Sequence, residues 1–273
     1  MQPQAPLLTI DEFKQAPTAI DLSNLARSGT QADQDAELAR VIARASSWIY
    51  AYCRQVLVAT QDTETHFVRP DRWGRLTVLV NRFPVRSVTA IQWRQSPQSG
   101  WQVSDVAKVQ VNGRLVTATD AVPGREFGGQ PYEIQITYVN GWPNTTLAEA
   151  AAAGATSVTV ASAFGVSAGD VLHVYDGGST EDITVASVSG NTLTLASPLM
   201  YAHAQGVSVT ALDPVVKEAA ILVASWMIRQ RGLDAWTIEG GTRRQYLQSS
   251  DQRDAELARA REMLQPYRVV WMA

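Results

Sequence analysis

A change of composition in the middle of the chain constrains the fold more than any other feature. Residues 147–212 carry no Lys or Arg and are rich in Ala, Val, Ser, Thr and Gly. The segment before them stops at Asn140-Gly141-Trp142-Pro143, and a helix signal begins at Asp213-Pro214. Because an insertion into a loop adds little closure entropy, a host fold can carry a second domain there. We therefore predict a host domain of residues 1–146 and 213–273, interrupted by an inserted domain of residues 147–212.

Helical periodicity and capping residues predict four helices. Thr9-Ile10-Asp11-Glu12 has the form of a capping box, and Asp213 before Pro214 has the form of an N-cap followed by a first-turn proline. The longest stripe of apolar residues at helical spacing ends at Cys53. The predicted helices are 10–15, about 33–53, about 214–231, and one that starts at Ser250 or Asp251 and stops at Pro266.

Short β-type segments separated by turn residues predict strands in two regions. In the host these segments are 56–59, 65–68, 76–80, 85–93, 107–111, 115–118 and 133–139, with Asn112-Gly113 as the clearest hairpin turn. In the insert they are 157–161, 170–175, 181–187, 192–196 and 207–211. The predicted fold class is therefore α+β: a helical host domain with β-strands and a hairpin, interrupted by an inserted all-β domain, a sandwich or a barrel.

Charge and cysteine content exclude several classes of protein. The formal net charge is -3, whereas a protein that grips nucleic acid phosphates is usually basic. Cys53 is the only cysteine, so no internal disulfide can form, and we expect a buried thiol. No apolar run is long enough to span a membrane and no secretory signal pattern is present, so we expect no membrane contact.

Patterns that would indicate an enzyme are weak in this chain. Gly165-Val166-Ser167-Ala168-Gly169 fits the G-x-S-x-G pattern of serine hydrolases, but that elbow needs a helix after it, and here a strand is predicted. The three histidines, His66, His173 and His203, lack the spacing of a metal site. We therefore predict no catalytic residue, no metal and no cofactor, and we interpret residues 165–169 as a β-turn.

Aromatic and basic residues outside the helical stripes are candidates for partner contacts. Of the eight tryptophans, five lie in or beside loops or at the chain end: Trp73, Trp101, Trp142, Trp236 and Trp271. Exposed aromatic residues of this kind favour protein–protein contacts, although each could instead pack within its own domain. The terminal Val269-Val270-Trp271-Met272 is typical of a docking peptide. Arg243 and Arg244, in a Gly-flanked loop, could face DNA, an acidic partner or solvent.

The host segments together resemble the head–tail connector, or adaptor, proteins of long-tailed double-stranded DNA bacteriophages. Four stretches carry the resemblance, and their order and spacing count for more than any one of them. They are the helix Asp35 through Cys53; Arg82-Phe83-Pro84-Val85-Arg86-Ser87-Val88; Ile136 through Pro143, continued across the gap by Pro214 through Gly232; and Leu264-Gln265-Pro266-Tyr267-Arg268. The insert also looks like small β domains found at this site in some connectors.

The resemblance implies a structural protein of the virion neck, made in the host cytoplasm, and not an enzyme. It implies a homo-oligomeric ring, usually twelve-fold, that lies beneath the portal protein and presents a surface to the next neck or tail protein. Genomic double-stranded DNA would pass through the lumen without specific binding, which suits the charge balance. Because members of the family commonly dock the C-terminal segment into the portal, the implied portal contacts are Tyr267, Arg268, Val269, Val270 and Trp271. Arg243 and Arg244 are possible channel or partner contacts.

Two other hypotheses remain open at this point. The chain could be another neck protein, such as a stopper or tail terminator; the two long helical stripes favour the adaptor, because stoppers are mostly β. It could instead be a hydrolase or a carbohydrate-binding module that uses the Ser167 segment or the exposed tryptophans.

Overall fold

A computed structural model describes residues 6–23, 25–26, 29–119, 131–230, 236–239, 242–245 and 250–269. The chain separates into two units, one formed by Met1–Leu57 with Pro143–Ala273 and the other by Val58–Trp142. The first unit contains the helices and a six-stranded sheet, and the second contains two smaller sheets. The division of the chain at residues 147 and 212 stays a prediction.

The N-terminal capping residues Thr9 and Asp213 mark the starts of two helices of the first unit. They are α1 (Ile10–Gln15), α2 (Gln31–Cys53), α3 (Pro214–Arg229) and α4 (Ser250–Leu264). The capping box of α1 is confirmed, because the Thr9 hydroxyl accepts from Glu12 N while the Glu12 carboxylate accepts from Thr9 N. The Asp213 N-cap of α3 is also confirmed. Apolar faces of α2 and α3 pack together, and α4 packs on α3.

The described part of the Val58–Trp142 unit, residues 58–119 and 131–142, forms seven strands in two sheets. The strands are β1 (Thr60–Val68), β2 (Leu76–Leu79), β3 (Val85–Arg94), β4 (Gln102–Val103), β5 (Val109–Asn112), β6 (Leu115–Ala118) and β7 (Tyr132–Asn140). One sheet has the order β1-β7-β3-β4 and the other β2-β6-β5, and all pairs are antiparallel. Alternate residues of central β7, Ile134, Ile136 and Tyr138, enter a core shared by both sheets. The predicted hairpin is confirmed, but Asn112 pairs with Leu115, so Gly113 and Arg114 rather than Asn112 and Gly113 form its turn, and Gly113 has the positive φ of +60°.

Residues 144–210 form the six-stranded antiparallel sheet of the first unit. Its strands are β8 (Asn144–Thr146), β9 (Ser157–Thr159), β10 (Val171–Tyr175), β11 (Glu181–Ser189), β12 (Thr192–Leu195) and β13 (Ser208–Thr210), in the order β8-β13-β10-β11-β12-β9. A bridge between Leu147 and Val160 joins the ends of the two edge strands, so the sheet curls around its own apolar core. A separate hairpin pairs β14 (Trp236–Glu239) with β15 (Thr242–Gln245).

The predicted fold class is wrong in its main feature, because the protein is mostly β rather than a helical host with a small β insert. The described residues contain fifteen strands and four α-helices. The prediction placed the strands of residues 58–142 beside the helices in one host domain. They instead bury their apolar faces against one another and form a unit of their own. A short strand carries a weaker sequence signal than a long helical stripe, so the sequence pattern overstates the share of helix in the fold.

Candidate functional site

The described part of the predicted portal-docking segment packs against its own chain. Val269 is only 1% exposed, and its N–H donates to the carbonyl of Cys53 at the end of α2 at 2.9 Å. The Gln55 side chain donates to the carbonyl of Tyr267, also at 2.9 Å. Arg268 lies over the ring of Tyr52. These three residues therefore have intramolecular partners that their position near the chain end did not indicate.

The other residues predicted to contact partners are less fully described. Val270 and Trp271 lie outside the described residues. Arg243 and Arg244 lie on β15, opposite Ile238 and Thr237 of β14. The structure therefore brings Tyr267, Arg268 and Val269 together at the end of α2, and the contact roles of all seven residues stay predictions.

The end of α2 that residues 267–269 contact has apolar and aromatic surroundings and an unreactive thiol. Trp48 and Tyr52 stack with ring centroids 5.6 Å apart, and Arg261 of α4 lies over Trp48. Cys53 is fully buried, as predicted, and burial raises the pKa of its thiol to about 12, an effect that the nearby Arg268 partly opposes. A thiol of this kind serves packing rather than nucleophilic chemistry.

A buried lysine that sequence reasoning missed connects the helices to the six-stranded sheet within the first unit. The side chain of Lys217 in α3 is 5% exposed, and its ammonium lies 2.8 Å from the Glu12 carboxylate of α1, itself 9% exposed. It also donates to Asn144 of β8 and Ser208 of β13, both at 3.3 Å. We refer to these four residues as the Lys217 cluster. The only sequence signal was a lysine directly after Val215-Val216 in the first turns of a helix.

A cavity of about 250 Å³ borders the Lys217 cluster. Pro6, Leu8 and Ala161 supply apolar lining, and Thr145 lies beside them. Burial lowers the pKa of Lys217, an effect that Glu12 opposes by stabilising the ammonium. The three acceptors of the Lys217 cluster match the three N–H donors of an ammonium, so the geometry favours a structural connection over a nucleophilic amine.

The serine-hydrolase pattern falls on turns rather than on an elbow. Asp170 N donates to the carbonyl of Ser167, and β10 follows immediately at Val171, so the interpretation of this segment as a turn is confirmed. Both ring nitrogens of the buried His203 contact carboxylates, Asp176 at 3.0 Å and Glu181 at 2.8 Å. This leaves no free ring nitrogen on His203 to activate a serine.

Large apolar side chains are exposed on the edges of the Val58–Trp142 unit. Phe67 on edge strand β1 is 71% exposed, and Val103 on edge strand β4 is 80% exposed. Leu79 on β2 and Val111 on β5, the edges of the smaller sheet, are also exposed. Of the loop tryptophans, Trp73 is exposed, whereas Trp101 and Trp142 are half-buried. Unpaired edge strands are sites at which another chain can add a strand.

Comparisons with known proteins add no family assignment: no family model matches the chain, and no curated protein matches it significantly. Among the described residues, no group of three or more His, Cys, Asp or Glu side chains is arranged to hold a metal ion. Within the same described ranges, every helix is too short or too polar to cross a bilayer.

Proposed function

We propose that this chain is a structural protein of a tailed-bacteriophage virion, a head-to-tail adaptor that assembles as a ring on the portal. The observation that carries the proposal is the exposed apolar residues on both outer edges of the β1-β7-β3-β4 sheet, Phe67 on one and Val103 on the other. Covering such edges removes apolar side chains from water, and a strand of a neighbouring subunit can cover them.

The two edges differ, and this difference favours a ring over a symmetric dimer. Edge strand β1 has nine residues, whereas edge strand β4 has two. A two-fold dimer pairs identical patches, whereas a cyclic ring pairs one patch with a different patch on the next subunit. Two unlike edges with exposed apolar side chains on one unit fit the cyclic ring.

The remaining parts of the proposal rest on the sequence resemblance and on charge. The ring, usually twelve-fold in the family, would lie at the head–tail interface and contact the portal on one side and the next neck or tail protein on the other. A net charge of -3 suits a conduit through which genomic DNA slides without being held. Assembly would take place in the host cytoplasm.

The direct test is to mix the purified protein with purified portal rings and measure the mass and shape of the product. We expect closed rings of this chain stacked on the portal, seen by mass photometry and by electron microscopy of stained particles. A protein that neither binds the portal nor forms rings would contradict the proposal.

A test of the predicted docking segment needs a deletion that leaves the fold intact. Deleting residues 267–273 removes the buried Val269, and burial of a valine side chain contributes about 1.5–3 kcal/mol. Deleting residues 270–273 leaves Val269 in place and still removes Val270 and Trp271. We expect the shorter deletion to weaken portal binding while the circular dichroism spectrum and unfolding midpoint stay unchanged. Full portal binding by this variant would place the docking residues elsewhere.

A second candidate function is another neck protein, such as a stopper or tail terminator. The mostly β fold favours it, because stoppers are mostly β and the helical content no longer separates the two classes. An adaptor must bind bare portal rings, whereas another neck protein need not. The portal-binding measurement therefore distinguishes the two candidates.

A further inference from the structure

The connection between β1 and β2 presents an exposed tryptophan flanked by arginines. Trp73 is 60% exposed, and the guanidinium carbons of Arg72 and Arg75 lie 3.9 Å and 4.5 Å from the centre of its ring. Cation–π contact of this kind places positive charge around an apolar surface. Tryptophan and arginine are also the residues most enriched among those that dominate binding at protein interfaces.

Backbone hydrogen bonds hold this turn in shape before any partner arrives. The Asp71 carboxylate accepts from Trp73 N at 2.8 Å and from Arg75 N at 3.0 Å, and it pairs with the Arg75 guanidinium at 2.7 Å. Gly74 closes the turn with a φ of +79°, which a side chain would disfavour. A preformed turn loses little entropy on binding, which favours a docking role over incidental exposure. We refer to residues 71–75 as the Trp73 turn.

The chain itself supplies a surface of complementary charge. Residues 143–212, which include the six-stranded sheet, contain five Asp and Glu and no Lys or Arg. Residues 58–142, which include the Trp73 turn, contain nine Lys and Arg against seven Asp and Glu. Asp182 and Glu149 are exposed in the acidic region, as are the apolar side chains of Met200 and Tyr201. Exposed acidic and exposed apolar side chains within one region of the chain suit an indole flanked by two guanidiniums.

We infer that the Trp73 turn of one copy docks on the acidic six-stranded sheet, residues 144–210, of the next copy. The inference rests on the proposed ring, which requires two different and complementary patches on every subunit. It adds a second contact between neighbouring subunits to the one at the edge strands β1 and β4, and it names the chemistry of the two patches that form it. A duplex nucleic acid is a poorer occupant, because the indole has no unstacked base to meet and the chain carries a net charge of -3.

Two variants remove the two patches separately. The turn variant carries Arg72→Glu and Trp73→Ala, both at exposed positions, and keeps Asp71 and Gly74. The sheet variant carries Glu149→Lys and Asp182→Lys, also at exposed positions. Arg40→Glu, on the exposed face of α2, is the matched control for a change of charge alone.

Sedimentation velocity at low and high salt measures self-association of each full-length variant. We expect wild type and Arg40→Glu to associate, more strongly at low salt, and each patch variant to associate at least about thirtyfold more weakly. A mixture of the two patch variants restores one intact Trp73-turn contact per pair, so it should associate more strongly than either patch variant alone. Circular dichroism and the unfolding midpoint confirm that each variant is folded.

Several results would overturn the inference. Wild type that stays monomeric at all concentrations, a turn variant that associates like wild type, or a mixture that associates no more strongly than the separate variants each excludes this contact. Duplex-DNA binding that the turn variant loses while self-association persists would show the nucleic acid occupant instead. Portal binding by wild type is measured separately, so failure of the proposed function is distinguishable from failure of this contact.

Discussion

Removal of the Lys217 ammonium is the most informative single change in the first unit. Lys217→Met keeps the length of the side chain and leaves the Glu12 carboxylate, 9% exposed, without its cation. Breaking a buried ion pair from one side destabilises a protein by about 3–5 kcal/mol, because the remaining charge stays desolvated. In a chain of this size we expect a fall of roughly 10 °C in the unfolding midpoint.

A double-mutant cycle separates the ion pair from simple loss of packing. Glu12→Gln keeps the capping box at Thr9, which accepts either Glu or Gln, and removes only the charge. We expect Lys217→Met and Glu12→Gln together to cost about 2 kcal/mol less than the sum of the single changes. Urea unfolding followed by circular dichroism measures all three free energies.

Lys14→Met is the matched control, because Lys14 forms an ion pair with Asp35 at 2.6 Å on a more accessible surface. Pairs of that kind contribute little to stability, so the midpoint should hardly move. If Lys217→Met proves as mild as Lys14→Met, or if the cycle is additive, the Lys217 cluster does not connect the helices to the sheet as described.

Three further outcomes are expected from the same structure. His203→Leu should lower the free energy of unfolding by about 1.5–3 kcal/mol in urea titrations, because it leaves the part-buried carboxylates of Asp176 and Glu181 without a hydrogen-bond donor, while the more exposed His173→Leu should cost much less; equal effects would contradict this. Burial raises the pKa of Glu181, but hydrogen bonds from two backbone N–H groups and His203 lower it by more, so the net pKa lies below the ordinary 4.5. The contribution of the Glu181 carboxylate to the free energy of unfolding is therefore present above pH 4.5 and should be lost on acidification below it, which a falling urea midpoint would show. Burial raises the pKa of Tyr175 to about 12 and raises that of Tyr138 even more. Tyrosinate absorbance from these two rings should therefore appear well above pH 10 or only on unfolding, and the free energy of unfolding should fall as pH rises past 10. Titration of both rings near pH 10 in the folded protein would refute their burial.

Features that depend on neighbours in the sequence were predictable. The capping box at Thr9, the Asp213 N-cap and the hairpin that turns at Gly113 each act within a few residues, and all three are present. The turn interpretation of the Ser167 segment succeeded for the same reason. Caps and turns are local hydrogen-bond arrangements, so a short stretch of sequence contains all the information that determines them.

The fold class and the candidate contacts depended on partners far along the chain. The sequence around residues 58–142 gives no signal that the strands there bury their apolar faces against one another rather than against helices. Val269 read as a free docking residue because its partner is the carbonyl of Cys53 at the end of α2.

Lys217 shows the division most clearly. The sequence determined that it lies in the first turns of a helix, where a lysine is ordinarily solvated. The tertiary structure alone decided that Glu12, 205 residues away, and two strands of the sheet would enclose it. Local propensity acts through the adjacent backbone, whereas the burial of a charge depends on which distant groups arrive to replace its water.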